Sequence, residues 1–588
     1  MKSIRIIYIT LVFLILFNLH KAFSNDEIMN AFRDEIKRSM NELKLESLQK
    51  PYYIEYSIKI ETPYTIQATL GSLTESSNIK RASLNVTVKV GDYKFDNTNF
   101  FDFGLSFFGS GDDEERFKNR NIPLELNYNN LRRELWLATD AAYKQAAEIF
   151  SKKESSVKNK IRKDTIWDFE LTPPEINNAY TPIPEINFEK YKEICKQISS
   201  IFLNYKKINT SSVTFEYLPK IIYYANSEGR EYVKTELHTG LEVIAATQSS
   251  DGMPITNFYT VYSLIPKDLP TLDSITTAVK SIAAKLEKTL DGDVLEESYS
   301  GPVIFEGQAA AEVFAQVFAP NLATQRAPMT ETGFQESDRF TSFQTKIGGR
   351  VLPEFLSVKA IPDKTEYNKV PLIGTFKIDD DGILAKRVDL VMNGYLKNLL
   401  SSRTPIRRVS SSNGHKRGGA PMYSILELFT DAKYQKSDAE LKSKMLKLCK
   451  DRALPFGIIV RKALNQNILY TTLFRVTSGT FPYPSSNSTP LVEVYKVFPD
   501  GKEVLLRGVE ANRINVQSFK DIISTGKNKY VLNLLAPSIT SPFISGGSHY
   551  ISSTIISPSF LFEDVEIKPI EGDFPKPPII KNPLTENN

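Results

Sequence analysis

Apolar and polar residues alternate at every second position along parts of this chain, and this pattern constrains its fold most. Residues 54–60 and 84–90 place Ile, Leu, Val or Tyr at the even positions and polar residues between them. A period of two predicts a strand with one buried face. The Asn-Gly pair at 393–394 and the Pro-Asp-Gly run at 499–501 each separate two β-type segments and predict hairpins.

Other stretches carry apolar residues at helical spacing, which predicts helices that pack one face against a sheet. Ser437 and Glu440 have the spacing of a capping box at the start of the last of them. The predicted helices cover residues 28–43, about 127–153, 188–202, 272–290 and about 437–449. Because helices and strands mix early and strands dominate later, we expect an α+β fold.

The chain is long enough for at least two domains. We predict a mixed helix-and-sheet N-terminal domain at 25–292, with a Pro-rich linker near 172–184. A β-rich C-terminal domain follows at 293–568, and a Pro-rich tail at 569–588. The boundary lies where Asp291-Gly292-Asp293 interrupts the chain after a helix.

Residues 1–24 have the layout of a signal peptide. A positively charged start precedes the apolar run 6–19, and Ala22-Phe23-Ser24 supplies small residues for cleavage. We therefore expect an exported protein, periplasmic or extracellular; an uncleaved anchor helix is the alternative. No later stretch reaches eighteen consecutive apolar residues, so the mature chain is not expected to cross a membrane.

Charge and cysteine content exclude few classes of protein, but they bear on nucleic-acid binding and on disulfide formation. The net charge of +4 over 588 residues gives no electrostatic argument for nucleic acid, so no nucleic-acid partner is expected. Cys195 and Cys449 both lie on or beside apolar helical faces. Buried reduced thiols are therefore favoured over a disulfide, although the sequence leaves their redox state open.

Familiar catalytic motifs are absent from the sequence. It contains no His-Glu-x-x-His, no Cys-x-x-Cys and no Gly-x-Ser-x-Gly. Asp379-Asp380-Asp381-Gly382 lacks the alternating ligands of an EF-hand and predicts a solvated turn. The loop 410–419 is the segment that most resembles a functional site, since it combines glycines, cations and His415. The alternative is that it is only a mobile connection between strands.

Several C-terminal segments, in their order and spacing, resemble the TldD/PmbA peptidase family. They are YSGPVIFEGQAAAEVFAQVFAPNL at 299–322, DDDGILAKRVDLVMNGYLKNLLSSR at 379–403, GHKRG at 414–418, VEVYKVFPDGKEVLLRGVE at 492–510 and PSFLFEDVEI at 558–567. The resemblance implies a β-rich C-terminal domain and dimers around a cleft that binds unfolded peptides as extended strands. Zinc-bearing members carry His-Glu-x-x-x-His on the helix after Gly-Pro-Val, and a later Cys.

At those positions this chain departs from the zinc-bearing pattern. Gln316 and Asn321 stand where the resemblance places the two histidines, and Val317 stands where it places the glutamate. Residues 544–547, Ile-Ser-Gly-Gly, replace the later Cys. Neutral amides are poor zinc ligands and Val cannot act as a base. The chain is thus similar to metal-free PmbA-type members, and we expect no metal, no other cofactor and no catalytic residue.

The resemblance implies a non-catalytic, peptide-binding subunit that pairs with a zinc-bearing TldD-like member or with itself. Gln316, Asn321 and His415 are then the candidates for lining the peptide cleft. A stand-alone envelope protein that binds extended segments is one alternative. A hydrolase that uses unrecognised groups, around His415, is another, so enzymatic activity stays open at this point.

Export can be tested on the native protein. Cleavage after Ser24 predicts a mature chain that begins at Asn25, because the small residues Ala22 and Ser24 precede that bond. N-terminal sequencing of the protein purified from its native cell checks this. A cytoplasmic species that retains Met1 would contradict the expectation.

Overall fold

The structure is a computed structural model, and it confirms the predicted α+β class. It describes residues 27–45, 48–101, 120–158, 166–324, 326–330, 343–465, 488–538 and 549–572, with 574, 577–580 and 582–583. The predicted signal peptide at 1–24 lies outside these residues, as do residues 573, 575–576, 581 and 584–588 of the predicted tail.

The described helices coincide with the stretches of helical periodicity, and one further helix follows the strand at 299–305. They are α1 (27–42), α2 (Tyr128–Lys158), α3 (Phe188–Ser200), α4 (Leu272–Leu290), α5 (Gly307–Val313) and α6 (Asp438–Asp451).

The strands of the N-terminal half are β1 (Pro51–Glu61), β2 (Tyr64–Thr69), β3 (Ser72–Ser77), β4 (Arg81–Val90), β5 (Phe100–Phe101), β6 (Arg120–Asn121), β7 (Ile176–Ala179), β8 (Thr210–Tyr217), β9 (Lys220–Asn226), β10 (Glu231–Glu236), β11 (Thr239–Gln248) and β12 (Pro254–Ser263). Those of the C-terminal half are β13 (Tyr299–Phe305), β14 (Met329–Thr330), β15 (Leu356–Ala360), β16 (Glu366–Tyr367), β17 (Val370–Pro371), β18 (Val388–Met392), β19 (Tyr395–Leu396), β20 (Lys416–Arg417), β21 (Ala420–Pro421), β22 (Ile425–Thr430), β23 (Gln435–Lys436), β24 (Gly457–Ala463), β25 (Ser488–Val497), β26 (Glu503–Leu506), β27 (Val509–Asn512), β28 (Ile522–Ser538) and β29 (His549–Pro569).

Two antiparallel sheets with one parallel edge strand organise the N-terminal half. Sheet A has the order β6-β4-β1-β9-β10-β7, and sheet B has the order β12-β11-β8-β2-β3. The alternating apolar residues of β1 and β4 form one core with α1 and α2, while sheet B forms another with α3 and α4. Burying each aliphatic side chain contributes about 1.5–3 kcal/mol, which explains why the period of two fixes the inward face.

A large sheet, sheet C, organises the C-terminal half. Its main path runs β13-β24-β25-β27-β29-β22-β15-β18-β19, and the long strand β29 also pairs with β28 and β13. Because β13 pairs with both β24 and β29, five strands of this path close on themselves. Helix α5 packs against β24, β28 and β29, which places it on one face of the sheet.

The local turn and cap predictions are confirmed. Asn393 and Gly394 both adopt positive φ, +49° and +79°, as the two-residue hairpin between β18 and β19 requires. Ser437 and Glu440 form the reciprocal capping box of α6. Cys195 and Cys449 are free and buried in separate cores.

The acidic turn at 379–382 is not solvated, so that expectation is wrong. Asp379 is 0% exposed and Asp381 is 1% exposed. The Asp379 carboxylate accepts hydrogen bonds from the backbone N–H groups of Asp381, Ile383 and Lys416, at 3.0, 2.8 and 3.1 Å. Burial, with the neighbouring Asp381 charge, raises the pKa of Asp379.

Cations from the C-terminal half stabilise this turn and tie it to the N-terminal half. Lys416 Nζ lies 2.7 Å from Asp381 Oδ1. Arg403, fully buried, donates to Glu228 Oε1 at 2.7 Å, and its guanidinium lies 4.0 Å from the centroid of the Phe169 ring. A buried charge needs such partners, because burial removes its hydration.

Sheet A contacts the same turn through β10 and the loop before it. Arg230 donates from Nη1 to the Gly382 carbonyl at 2.8 Å, and Lys234 Nζ lies 3.0 Å from Asp380 Oδ1. Gly382 has φ +76°, and a Cβ there would lie 2.7 Å from Arg230 Cδ. Only glycine fits both the backbone conformation and this close approach.

The predicted boundary at 292–293 stays a prediction. Helix α4 ends at Leu290, and sheets A and B lie wholly before it while sheet C lies wholly after it. Within the part of the chain that the structure describes, every helix is too short or too polar to span a lipid bilayer.

Removing the Arg403 side chain should destabilise the protein strongly. Arg403→Ala leaves Glu228 buried without this cation, which costs about 3–5 kcal/mol for pairs of this kind. Arg387→Ala is the matched control, because its ion pair with Asp363 is exposed and should leave the unfolding midpoint nearly unchanged. Urea unfolding of both variants checks this; equal midpoints would contradict the role given to Arg403.

Candidate functional site

The candidate site is built on the segment that follows β13. Gly307 begins α5 with φ +48°, and its N–H donates to Ser559 Oγ at 3.2 Å. The helix continues through a π-helical turn at Phe314–Phe318 and a 3₁₀ turn at Ala319–Leu322. Such π turns insert a residue and re-aim the side chains beyond it, and they are frequent at functional sites.

Gln316 lies on the π-helical turn and is partly buried. Its Nε2 donates to Glu312 Oε1 and to the Leu464 carbonyl, both at 2.8 Å. The side chain therefore links α5 to the chain just after β24.

Asn321 lies one turn further on and is 4% exposed. Its Nδ2 donates to the Val317 carbonyl at 3.0 Å, which satisfies a backbone acceptor where the helix is irregular. The Val317 side chain itself packs against the core of sheet C.

These residues do not fit a zinc ion. Two amide side chains that already donate to backbone and carboxylate oxygens offer neither imidazole nor thiolate. In the described ranges, no three His, Cys, Asp or Glu side chains group closely enough to hold a metal ion. Residues 544–547, where the resemblance places the later Cys, lie outside those ranges.

His415 is also enclosed. It is 0% exposed, its Nδ1 lies 3.0 Å from both the carbonyl and the side-chain oxygen of Asn413, and Phe376 packs edge-on against its ring. Burial lowers the pKa of His415 to about 4, so the ring is neutral near pH 7. Its Nε2 is buried and has no hydrogen-bond partner among the described residues.

The loop around His415 is well anchored, which disfavours the mobile-connection alternative. Asn413 donates from Nδ2 to the Leu399 carbonyl at 2.9 Å and accepts from the Ser401 N–H at 2.9 Å. The same strand segment pairs with the end of the candidate helix, since the Leu400 N–H donates to the Leu322 carbonyl at 2.8 Å. Backbone pairing thus connects the segments that carry Asn321 and His415, while Gln316 faces Leu464.

A buried carboxylate on α5 escaped prediction from the sequence. Glu312 is 0% exposed, and Gln308 Nε2 lies 3.3 Å from its Oε2. Gln308 is held in turn by Ala463, donating to its carbonyl at 3.1 Å and accepting from its N–H at 3.0 Å. The available signal was a lone acid in the apolar run Ala-Ala-Ala-Glu-Val-Phe, which predicts a buried and partnered charge.

Two tyrosines lie in the field of Glu312. Burial raises the pKa of Tyr423 and of Tyr530, and the Glu312 charge raises both further. Tyr423 is 1% exposed, whereas Tyr530 is 42% exposed. We call the set Glu312, Gln308, Gln316, Tyr423 and Tyr530 the Glu312 cluster.

Comparison with known proteins identifies a related family. Residues 298–568 match the family model described as the PmbA/TldA metallopeptidase C-terminal domain. No curated protein matches the chain.

Solved structures share the fold at low sequence identity. A proposed modulator of a DNA gyrase from Thermotoga maritima has a TM-score of 0.55 at 13% identity, covering 91% of this chain and 100% of its own. TldE from Thermococcus kodakarensis has a TM-score of 0.54 at 12% identity, covering 92% and 100%. A proposed DNA gyrase modulator from Bacteroides thetaiotaomicron has a TM-score of 0.53 at 12% identity, covering 92% and 99%.

Proposed function

Residues 298–568 make this chain a member of the TldD/PmbA family, and on that premise we propose that it is a non-catalytic subunit that binds extended peptides. In this proposal the chain is exported and pairs with a zinc-bearing TldD-like member or with a second copy of itself. The observation that carries it is the bonding of Gln316 and Asn321. Where the resemblance places zinc-binding histidines, the Gln316 amide donates to Glu312 on α5 and the Asn321 amide donates to the Val317 carbonyl on the turn after it.

In this proposal neither Val317 nor His415 supplies the group that activates water in peptide hydrolysis. Val317 stands in the position of the base and packs into the core. His415, the other candidate, is fully buried, and Asn413 holds its Nδ1. The proposal therefore leaves hydrolysis to another subunit.

The proposal places the extended peptide at an end strand of sheet B. Strand β12 is an end strand of sheet B, and Lys462 at the end of β24 reaches it, with Nζ 2.8 Å from Asn257 Oδ1. A peptide that adds to such an edge gains main-chain hydrogen bonds with little side-chain preference. Each bond contributes only about 0.5–1.5 kcal/mol net, and ordering the peptide opposes the gain. We expect micromolar binding by the chain alone and tighter binding when a partner closes the cleft.

Peptide titration tests the placement of this cleft. The triple variant Gln316→Ala, Asn321→Ala, His415→Ala should bind an unstructured peptide about tenfold more weakly, because it loses the internal hydrogen bonds that hold the segments proposed to line the cleft. Calorimetric titration measures the change. Circular dichroism must first show that the triple variant is folded, and Asn129→Ala, an exposed amide on α2, is the control.

Unchanged affinity in the triple variant would remove these residues from the cleft. No binding by wild type, even with its partner present, would remove the proposed function. Binding in the absence of any zinc-bearing relative in the native cell would favour the stand-alone envelope protein instead.

A further inference from the structure

A cavity of about 400 Å³ lies at one end of sheet B, and none of the candidate cleft residues lines it. Its walls are the end of β2 with the turn into β3, the first residues of β8, and the segment that joins α3 to β8. Pockets that bind small molecules enclose about 300–1,000 Å³, whereas one water molecule takes about 30 Å³. The cavity is therefore large enough for a small organic ligand.

Hydrogen bonds hold the walls of this cavity in place. Thr69 Oγ1 donates to the Ser211 carbonyl at 2.8 Å, which joins the end of β2 to the start of β8. Asn582 of the C-terminal tail lines one side, and its Nδ2 donates to the Lys206 carbonyl at 3.2 Å. Walls that are already ordered lose little conformational freedom when a ligand enters.

Every described side chain that lines the cavity is uncharged. Each amide and each hydroxyl among them can both donate and accept a hydrogen bond. These polar side chains include Gln67, Thr74, Asn209, Thr210, Ser211 and Ser212. Apolar contact comes from Leu70, Phe202 and Ile208. A charged ligand would lose hydration in this cavity without meeting an opposite charge.

The Ser211 hydroxyl is left without a partner at the wall of the cavity. Its Oγ is buried and has no hydrogen-bond partner among the described residues. Buried hydroxyl groups in native proteins nearly always have a partner, so an orphan beside a cavity marks a place where a ligand atom or a water belongs. Because Ser211 lines the cavity, rotation about its single χ1 bond presents the hydroxyl to a ligand.

We propose that this cavity binds an uncharged saccharide unit. The hydroxyls of a sugar ring both donate and accept, which matches the hydroxyl and amide walls. The C–H groups of the ring pack against apolar side chains such as Leu70, which is 44% exposed. The uncharged walls disfavour sugars that carry a carboxylate or a phosphate. This inference goes beyond the proposed function and does not depend on peptide binding.

Ligand-observed NMR titration of the full-length protein tests the inference. Glucose and N-acetylglucosamine are the neutral probes, and glucuronate and glucose 6-phosphate are the anionic probes. At least one neutral sugar should bind with millimolar affinity, about tenfold or more tightly than either anionic sugar, because the anions lose hydration without a compensating charge. N-acetylglycinamide, a neutral peptide-like probe of similar polarity, should not bind.

Ser211→Ala should weaken binding of the neutral sugar about three- to tenfold, because it removes one hydrogen bond to the ligand. The same variant should leave the urea midpoint of unfolding unchanged or raised, since the hydroxyl has no partner to lose among the described residues. Gln67→Ala, which removes an amide from the opposite strand, should weaken binding similarly. Ser76→Ala is the matched control, because Ser76 is an exposed serine on β3 that does not line the cavity.

No binding by either neutral sugar would overturn the inference and leave water as the only occupant of the cavity. Equal affinity for the anionic sugars would overturn it as well, as would a sugar affinity that both Ser211→Ala and Gln67→Ala leave unchanged. Binding of N-acetylglycinamide in place of the sugars would assign the cavity to peptide groups and contradict the saccharide. Each of these results leaves the proposed peptide cleft standing, so the two failures are distinguishable.

Discussion

The turn at 379–382 joins the halves of this protein, through Arg230 on the Gly382 carbonyl and Lys234 on Asp380, and it contains two buried carboxylates, Asp379 and Asp381. Neither can be buried without help, because removing a carboxylate from water costs several kcal/mol. The help comes from Lys416 and from backbone N–H groups within the C-terminal half, while Arg403 extends the contact to Glu228 in the N-terminal half. The position of sheet A against the acidic turn therefore depends on these electrostatic partners together with the apolar cluster of Ile222, Tyr224, Tyr232 and Ile378.

Local features of the fold could be predicted because their causes are local. The Asn393-Gly394 turn needs positive φ at two adjacent residues, and the capping box of α6 needs two residues three apart. Periods of 2 and 3.6 identified the strands and helices because burial of one face fixes them. The burial of the acidic turn was not predicted, because its partner Arg403 is distant from it in sequence. Glu228, which pairs with Arg403, is more distant still, and neither leaves a local mark.

For the candidate site, the sequence could give the positions of residues but not their contacts. The resemblance identified Gln316 and Asn321 by position, but the sequence could not show that both amides hold their own helix together. Glu312 was missed because a single acid in an apolar helix has no spacing to recognise. Its burial beside Gln308 and Gln316 becomes visible only in the folded chain.

This chain shares the fold of a peptidase family, while the turns that follow α5 carry amides and a valine where the resemblance places metal ligands and a base. Such a protein can contribute a cleft to an assembly and leave the chemistry to another subunit. The family membership selects the positions of Gln316 and Asn321, and the bonding of their amides supports this account.

Elemental analysis of the purified chain tests the account most directly. The protein, isolated without chelator and separated from any relative, should contain far less than one zinc ion per chain, because amides replace the imidazole ligands of a zinc site. A zinc content of about one ion per chain, lost together with peptidase activity on chelation, would contradict it.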